Sequence, residues 1–418
     1  MKSCSRMYDV IVCGGGTGGV PAAVAAARNG ARTLLIERLG MLGGTATAAL
    51  VAPYMSHLAG KKPVNRGLFE EFCGCMKKEG LTSLFRGRLI GFDAEIMKLL
   101  LDKFTLTAGV ELLFHATITN VIKKGGRIQA VRVFHRGGFE TISGKVFIDA
   151  TGDGDVAAMA GAPFQIGRDK DHACQPMTTA FRMGDINIKR MPSQKKINAL
   201  YDAARKRREI KNPRENVLWF PTVTPNEIHF NTTRVVGESS VDGWSLTSAE
   251  VEGRRQALEM YKFLKRRVPG FEKATLRKIA PQIGVRESRR ILGRYILTAD
   301  DVLSARHCSD SIASGSYCID IHNPSGSGTD IRRLEIGTWY QIPYRCITPL
   351  NVENLLMACR AISSTHEAHS SLRIMPIVWN IGEAAGTAAA MCAKQGKKAS
   401  AINPALLRKK LKRQGAFI

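Results

Sequence analysis

The sequence predicts an α/β fold: a parallel sheet carrying a three-stranded β-meander, interrupted by an inserted α+β lobe. Three observations lead there. Residues 8–37 read as strand, glycine turn, helix and strand, the βαβ order of a parallel sheet. Residues 110–150 read as three strand-like runs parted by Gly125-Gly126 and Gly137-Gly138. Residues 165–340 then lose that rhythm, and strand, loop and small-residue helix return after residue 340. The expected organisation is a first domain part at 1–164, an insertion at 165–340 and a C-terminal part of the first domain at 341–418.

Tyr8–Cys13 is a short apolar run with β-branched residues, so a buried strand. Residues 17–29 form a helix, with alanines at 22–23 and 25–27, Pro21 in the first turn and Asn29-Gly30 as the stop. "RTLLIE" at 32–37 is the second strand. Between them, Gly14–Gly19 holds five glycines in six residues, and Gly14, Gly16 and Gly19 fit G-x-G-x-x-G. Gly14 permits the tight turn, Gly16 lets backbone approach a pyrophosphate, and Gly19 lets helix pack on strand. With Thr17, they face phosphates at a helix N-terminus, where free N–H groups and the helix dipole favour anions. Glu37, eighteen residues after Gly19, is placed to accept ribose hydroxyls and to repel a 2′-phosphate. A dinucleotide other than NADP is expected here.

At 418 residues the chain is long enough for two lobes. It contains no run of eighteen apolar residues, so no membrane span is expected. "MKSCSRMYDVIV" has charge but no apolar core before the first strand. The expectation is a cytoplasmic protein without a signal peptide, unless a precursor segment has been trimmed. Ten cysteines are scattered, with Cys73-Gly-Cys75 the only near pair; no zinc spacing occurs and no metal is expected. The net charge of +25 favours an anionic partner or a solvated basic face, much of it in runs at 204–210, 262–267 and 408–413. The solvated face is preferred, because a charge run alone is weak evidence and no aromatic-rich, interleaved basic stripe supports base stacking.

Six further stretches carry a resemblance. They are "GGT-T" at 43–47, "DATGDGDVA" at 149–157, "RESRRI-G-Y-LT-DD" at 286–301, "DIH" at 320–322, "IPYR" at 342–345 and "NLL-A-R-IS-THEA" at 354–368. Together they resemble the FAD-dependent oxidoreductases of the glutathione-reductase-like fold, with a Rossmann-like FAD-binding domain, over essentially the whole chain. One departure is Cys359, where the family usually has glycine before the arginine now at Arg360. The resemblance implies FAD held by Gly14, Gly16, Thr17, Gly19, Glu37, Arg38, Gly43, Gly44, Thr45, Thr151, Gly152, Asp153, Arg360, Pro376 and Gly382. Asp153 has two readings: a ligand of the ribityl chain or an ordered water, and a turn or cap for a helix at 154–160. The alanine-rich last helix, small on nearly every side, is expected to be buried, with its N-terminus toward the flavin, where its dipole favours negative charge.

Only one G-x-G-x-x-G stands in βαβ context, so a separate nicotinamide domain is not expected. No paired redox cysteines follow Gly43-Gly44, which argues against dithiol chemistry. His57 has the wrong spacing for a covalent flavin link, so noncovalent FAD is expected. The substrate, small and anionic or polar, is placed at the interface of the two lobes. A separate electron acceptor or donor of unassigned identity completes the cycle. His366 is the expected base and Arg345 the expected substrate-orienting residue, because both flank strand ends of the cofactor lobe. Arg286, His322, Tyr344 and Arg373 are expected substrate contacts, with Arg289 on the same face as Arg286 and each open to a purely structural role. Two other functions stay open: a flavoprotein that modifies tRNA or another nucleic acid, and a non-enzymatic FAD-binding protein.

Overall fold

A computed structural model describes residues 7–55, 57–85 and 89–418. Residues 1–6, part of the stretch on which the signal-peptide expectation rests, lie outside them. Strand β1 (Met7–Cys13) is followed by helix α1 (Gly19–Arg28) and strand β2 (Thr33–Ile36). Helices α2 (Leu68–Lys78) and α3 (Ala94–Thr107) lead to strand β3 (Glu111–Leu113) and the meander β4 (Thr117–Lys124), β5 (Arg127–His135) and β6 (Gly138–Asp149). After the insertion come β7 (Leu355–Met357) and α4 (Met375–Gln395).

The parallel sheet runs β3-β2-β1-β6-β7. Strand β6 joins the antiparallel and parallel parts of one seven-stranded sheet. Its first half pairs antiparallel with β5 from Gly138 to Ser143, and its second half pairs parallel with β1 from Ser143 to Asp149. Val10, Ile11, Val12, Phe147, Ile148, Leu355 and Leu356 are fully buried, as expected of strands covered on both faces. The carboxyl ends of β1, β2, β6 and β7 open on one edge, where ligands of such sheets bind.

Helices α1 and α4 cross at backbone distance on the same sheet. A Cβ on Gly382 would stand 2.2 Å from Gly18 O, and one on Gly386 would stand 2.0 Å from Ala22 O. The small residues of α4 are therefore needed for packing, which the alanine-rich sequence foretold. Gly382 is a packing glycine, and it does not line the cofactor groove.

The insertion has a core of its own. Its antiparallel sheet orders Trp219–Pro221, Ile228–Phe230, Phe181–Gly184 and Thr275–Ile279, and the helices Gln194–Lys206 and Gly243–Arg267 supply residues to the core beside it. Phe181 and Phe230 stack at 5.0 Å, with Tyr201, Met260, Phe263 and Phe271 in the same cluster. Ile291, Leu297, Ile312 and Ile319 instead join the cofactor-lobe core. The stretch read as one insertion thus divides its apolar residues between two cores. No helix among the described residues is long and apolar enough to cross a membrane.

One charge lies inside this packing. Glu383 of α4 accepts the Leu68 N–H at 3.0 Å, at the start of α2. Burial, only partly offset by that hydrogen bond, raises its pKa from 4.5 to about 7. The folded state therefore holds the proton more tightly than the unfolded chain. The stability this confers is full below pH 4.5 and is lost as pH rises through about 7. Glu383→Gln keeps the acceptor and removes the titration. Urea melts from pH 4.5 to 8 are expected to show the variant gaining on the wild type by about 2–3 kcal/mol as pH rises.

Candidate functional site

The site is a groove at the carboxyl ends of the parallel strands that continues into a chamber under the insertion. Together they form one cavity of about 630 Å³. Gly14, Gly16, Thr17, Glu37, Arg38, Gly44, Thr45, Thr151, Gly152, Asp153 and Arg360 line its groove end. Arg286, His322 and Arg373 line the chamber end. Eleven expected cofactor residues and three expected substrate residues are thus brought to one space.

Glu37 ties the first turn together. Its carboxylate, at the end of β2, accepts the Gly15 N–H at 2.7 Å and the Leu39 N–H at 2.8 Å. The Gly43 N–H donates to Gly15 O at 2.8 Å, docking the "GGT" turn against the glycine loop. Gly43 itself lies behind the groove wall. Gly19 also faces protein, since a Cβ there would stand 1.8 Å from Gly14 O. Gly16 differs. A Cβ on it would meet nothing closer than Gly44 Cα at 3.9 Å, so folding does not require this glycine. Its missing side chain leaves open space in the groove wall. Thr17 Oγ1 beside it is buried with no hydrogen-bond partner among the described residues. Both features fit a phosphate lying on the turn.

Asp149 at the end of β6 organises the opposite wall, a role the sequence reading missed although the residue stood in a quoted motif. Its carboxylate accepts the Thr151 N–H at 3.0 Å, the Thr151 hydroxyl at 2.7 Å and the Ala157 N–H at 2.8 Å. Burial lifts its pKa to about 6 against those hydrogen bonds. Gly154, with positive φ, occupies the cap position of Asp155–Met159. Asp153 is therefore no helix cap: it pairs with Arg360 and accepts the Ser288 hydroxyl at 2.5 Å. Arg38 reaches across to the insertion, donating to Gln282 Oε1 at 2.8 Å. Pro376 sits in the first turn of α4, buried, while Ile374, Met375 and Val378 around it line the cavity.

Several expected site residues lie elsewhere. Arg345 is half-exposed and pairs with Asp310 at 2.9 Å, so it does not face the chamber. Tyr344 is buried, and its hydroxyl donates to Ala399 O at 2.7 Å. His366 Nδ1 lies 2.8 Å from Glu287 Oε1, and the residue lines a separate depression with Arg168, Asp330 and Arg332. Glu287 also accepts from Arg290 at 2.9 Å and from the Gln175 N–H at 3.0 Å, making a buried strut. Arg289 shares no face with Arg286: the stretch is extended at Arg289–Ile291, and Arg289 pairs with Asp155 at 2.7 Å. His57 packs its ring 5.8 Å from that of Phe69 and does not line the cavity.

The chamber holds residues the sequence did not single out: Arg214, Glu215, Tyr317, Asp320 and, behind His322, Arg234. Arg214 stands in an irregular segment and Arg234 beside a three-residue strand, so neither carries a periodic signal. Arg286 is buried, and burial first, then Arg373, Arg214 and Arg234, depress its pKa. His322 is likewise driven well below its ordinary value by burial and by Arg286, Arg214, Arg373 and Arg234. It stays neutral at physiological pH. Among the described residues no group of three His, Cys, Asp or Glu side chains is placed to hold a metal.

The surface pairing of Arg345 leads to a direct expectation. Arg345→Lys should change stability by under about 1 kcal/mol, as exposed ion pairs do. Flavin content by absorbance and the melting temperature should both match the wild type.

Comparisons with known proteins agree with this geometry. The family model for FAD dependent oxidoreductases matches residues 9–411. Leghemoglobin reductase of Vigna unguiculata is 30% identical over 171 residues, 38% of this chain and 30% of that protein. Mitochondrial dihydrolipoyl dehydrogenase 2 of Arabidopsis thaliana is 31% identical over 176 residues, 38% of this chain and 31% of that protein. The chain thus matches about a third of the length of these curated relatives. Among solved structures, the flavin-dependent brominase Bmp2 superposes with a TM-score of 0.54 at 12% identity, covering 98% of this chain and 84% of the other. The p-nitrophenol 4-monooxygenase PnpA of Pseudomonas putida DLL-E4 gives 0.51 at 11% identity, covering 99% and 86%. These likenesses are of fold. With the family model spanning nearly its full length, the chain belongs to the FAD dependent oxidoreductase family.

Proposed function

We propose that this FAD-dependent oxidoreductase binds its cofactor noncovalently and acts on a small anionic or polar organic substrate held between the cofactor lobe and the insertion. The observation that carries this reading is Gly16: it lines the cavity, and packing does not explain its missing side chain. The same cavity continues without a break to Arg286, His322 and Arg373.

The chain's own residues divide the work. Gly14, Gly16, Thr17 and Gly44 give backbone and hydroxyl contacts to the pyrophosphate, and Glu37 accepts from the ribose. Thr45, Thr151, Gly152, Asp153 and Arg360 wall the middle of the groove. The N-terminus of α4 aims its peptide dipoles at the flavin end, beside Ile374 and Met375. Bound flavin supplies the two-electron redox chemistry. Leu218, Phe220 and Ile283 of the insertion, with Val51 of the cofactor lobe, make an apolar stretch of cavity wall that excludes water. Covalent attachment through His57 is disfavoured, because that ring is turned to Phe69.

Gly16→Val tests the cradle. The purified wild type should be yellow, releasing FAD on denaturation. The variant should melt within a few degrees of flavin-free wild type yet retain under about a tenth of its FAD, because branched methyl groups fill the phosphate position. A variant that keeps full FAD content would show that another loop holds the cofactor.

A further inference from the structure

The chamber beyond the glycine cradle gathers more cation than its own acids neutralise. Four guanidinium groups, from Arg214, Arg234, Arg286 and Arg373, face two carboxylates, Glu215 and Asp320. Both acids already have partners. Glu215 pairs with Arg234 at 3.0 Å and accepts the Thr329 hydroxyl at 3.0 Å, and Asp320 accepts the Tyr317 hydroxyl at 3.0 Å. Arg286 donates only through Nη1 among the described contacts, to Pro176 O at 2.5 Å and Thr178 Oγ1 at 2.6 Å. Arg373 spends Nη2 on weak contacts, 3.4 Å to Gln175 Oε1 and 3.3 Å to Asp320 O. Its Nε is buried with no hydrogen-bond partner among the described residues. The same holds for Nε2 of Gln175, a residue only 2% exposed. Buried donors left without acceptors cost stability, and they are retained where something else accepts from them.

His322 has a fixed role in this cluster. Its Nδ1 lies 3.2 Å from Arg214 Nη1 and 3.1 Å from Arg234 Nη2. Arginine only donates, so Nδ1 must be the accepting nitrogen and Nε2 carries the proton. Arg234 is itself anchored, donating to Gly326 O at 2.8 Å and Gly328 O at 2.9 Å. Among the described residues Nε2–H has no acceptor within hydrogen-bond distance: Asp320 Oδ1 stands 3.8 Å away. The ring is thus a neutral donor held between two cations, and it cannot take up a proton at Nδ1. Arg214 and Arg234 are positioning residues for it.

We infer that the chamber selects a small carboxylic acid bearing a second oxygen on the adjacent carbon. Arg286 and Arg373 hold the carboxylate, and His322, kept as the Nε2–H tautomer by Arg214 and Arg234, donates to the second oxygen. This rests on the reading above only in taking the chamber as the substrate site. The planar guanidinium fork matches a carboxylate, and two arginines in excess of the local acids suit one small anion. The Nε2–H donor then distinguishes a 2-oxo or 2-hydroxy acid from a plain one.

The test titrates the FAD-loaded protein with pyruvate, acetate, inorganic phosphate and chloride at matched ionic strength. It reads the flavin absorption band and, separately, the melting temperature. Pyruvate is expected to bind at least about fivefold more tightly than acetate, the effect of one added hydrogen bond. In His322→Asn the amide oxygen falls near the position of Nδ1, so Arg214 and Arg234 keep an acceptor while the Nε2–H donor is lost. That variant should melt as the wild type does without ligand, and its preference for pyruvate over acetate should fall to about one. Arg373→Gln should weaken both acids by about tenfold or more, leaving their ratio unchanged. An unchanged ratio in His322→Asn would overturn the role of His322. Phosphate binding more tightly than pyruvate would overturn the carboxylate assignment, and acids binding no better than chloride would overturn the anion site. The melting readout needs no flavin. A colourless protein stabilised by pyruvate would keep this inference and sink the flavin reading, whereas a yellow protein indifferent to every acid would do the reverse.

Discussion

Helices α1 and α4 meet through their backbones, and the cofactor groove depends on that contact. Gly18 and Ala22 of one segment present carbonyls that Gly382 and Gly386 of the other approach at distances no side chain permits. This holds the first turn of α4 beside the glycine loop, so two helix N-termini converge on one groove. The glycine loop in turn is held by Glu37, whose carboxylate is shared between the Gly15 and Leu39 amides. A dinucleotide site of this kind is mostly backbone, and its shape is set by how closely main chains can pack rather than by which side chains reach in.

That explains why the groove was legible in the sequence and the chamber was not. Backbone approach leaves a local signature: glycines at fixed spacing between an apolar strand and an alanine-rich helix. Gly14, Gly16, Thr17 and Glu37 could be named from thirty contiguous residues. The α4 helix was readable for the same reason, since small residues on every side imply burial. The chamber is assembled from Arg214 and Arg286 on irregular segments, His322 at the end of the strand Ile319–His322 and Arg373 at the C-cap of the helix His366–Leu372, four separate stretches with no common period. Arg286, His322 and Arg373 were found as residue types suited to an anion or a proton, and the first two stood in quoted motifs. Arg214 and Arg234 were missed because nothing local separates a buried arginine from the many exposed ones in a chain of net charge +25. Arg345 and His366 failed for a related reason. Being near a strand end places a residue at the correct edge of the sheet, but the direction of the side chain was taken by Asp310 and Glu287.

The molecule also uses its acids differently at its two ends. Asp149, Glu287 and Glu383 are buried and hydrogen-bonded to backbone amides, and they serve to order loops and helix starts. Around the chamber the acids are fewer than the bases, and desolvation depresses the pKa of His322 and Arg286. Local structure is thus built with carboxylates, while the space between the lobes is left short of them. A surplus of buried positive charge is costly to fold around, and a bound anion would relieve that cost.

Strand β6 belongs to the meander and to the parallel sheet at once, and its last three residues pair with Leu355–Met357. Between those partners the chain builds a second lobe whose core closes over Phe181–Ala274. During synthesis the insertion therefore has all of its core residues while the cofactor sheet still lacks its fifth strand and the α4 helix. The early strands β1 and β2 and their glycine loop must wait, half-covered, for a segment made long after them. The nucleotide cradle, first in sequence, is thus completed only by a helix synthesised after the whole insertion.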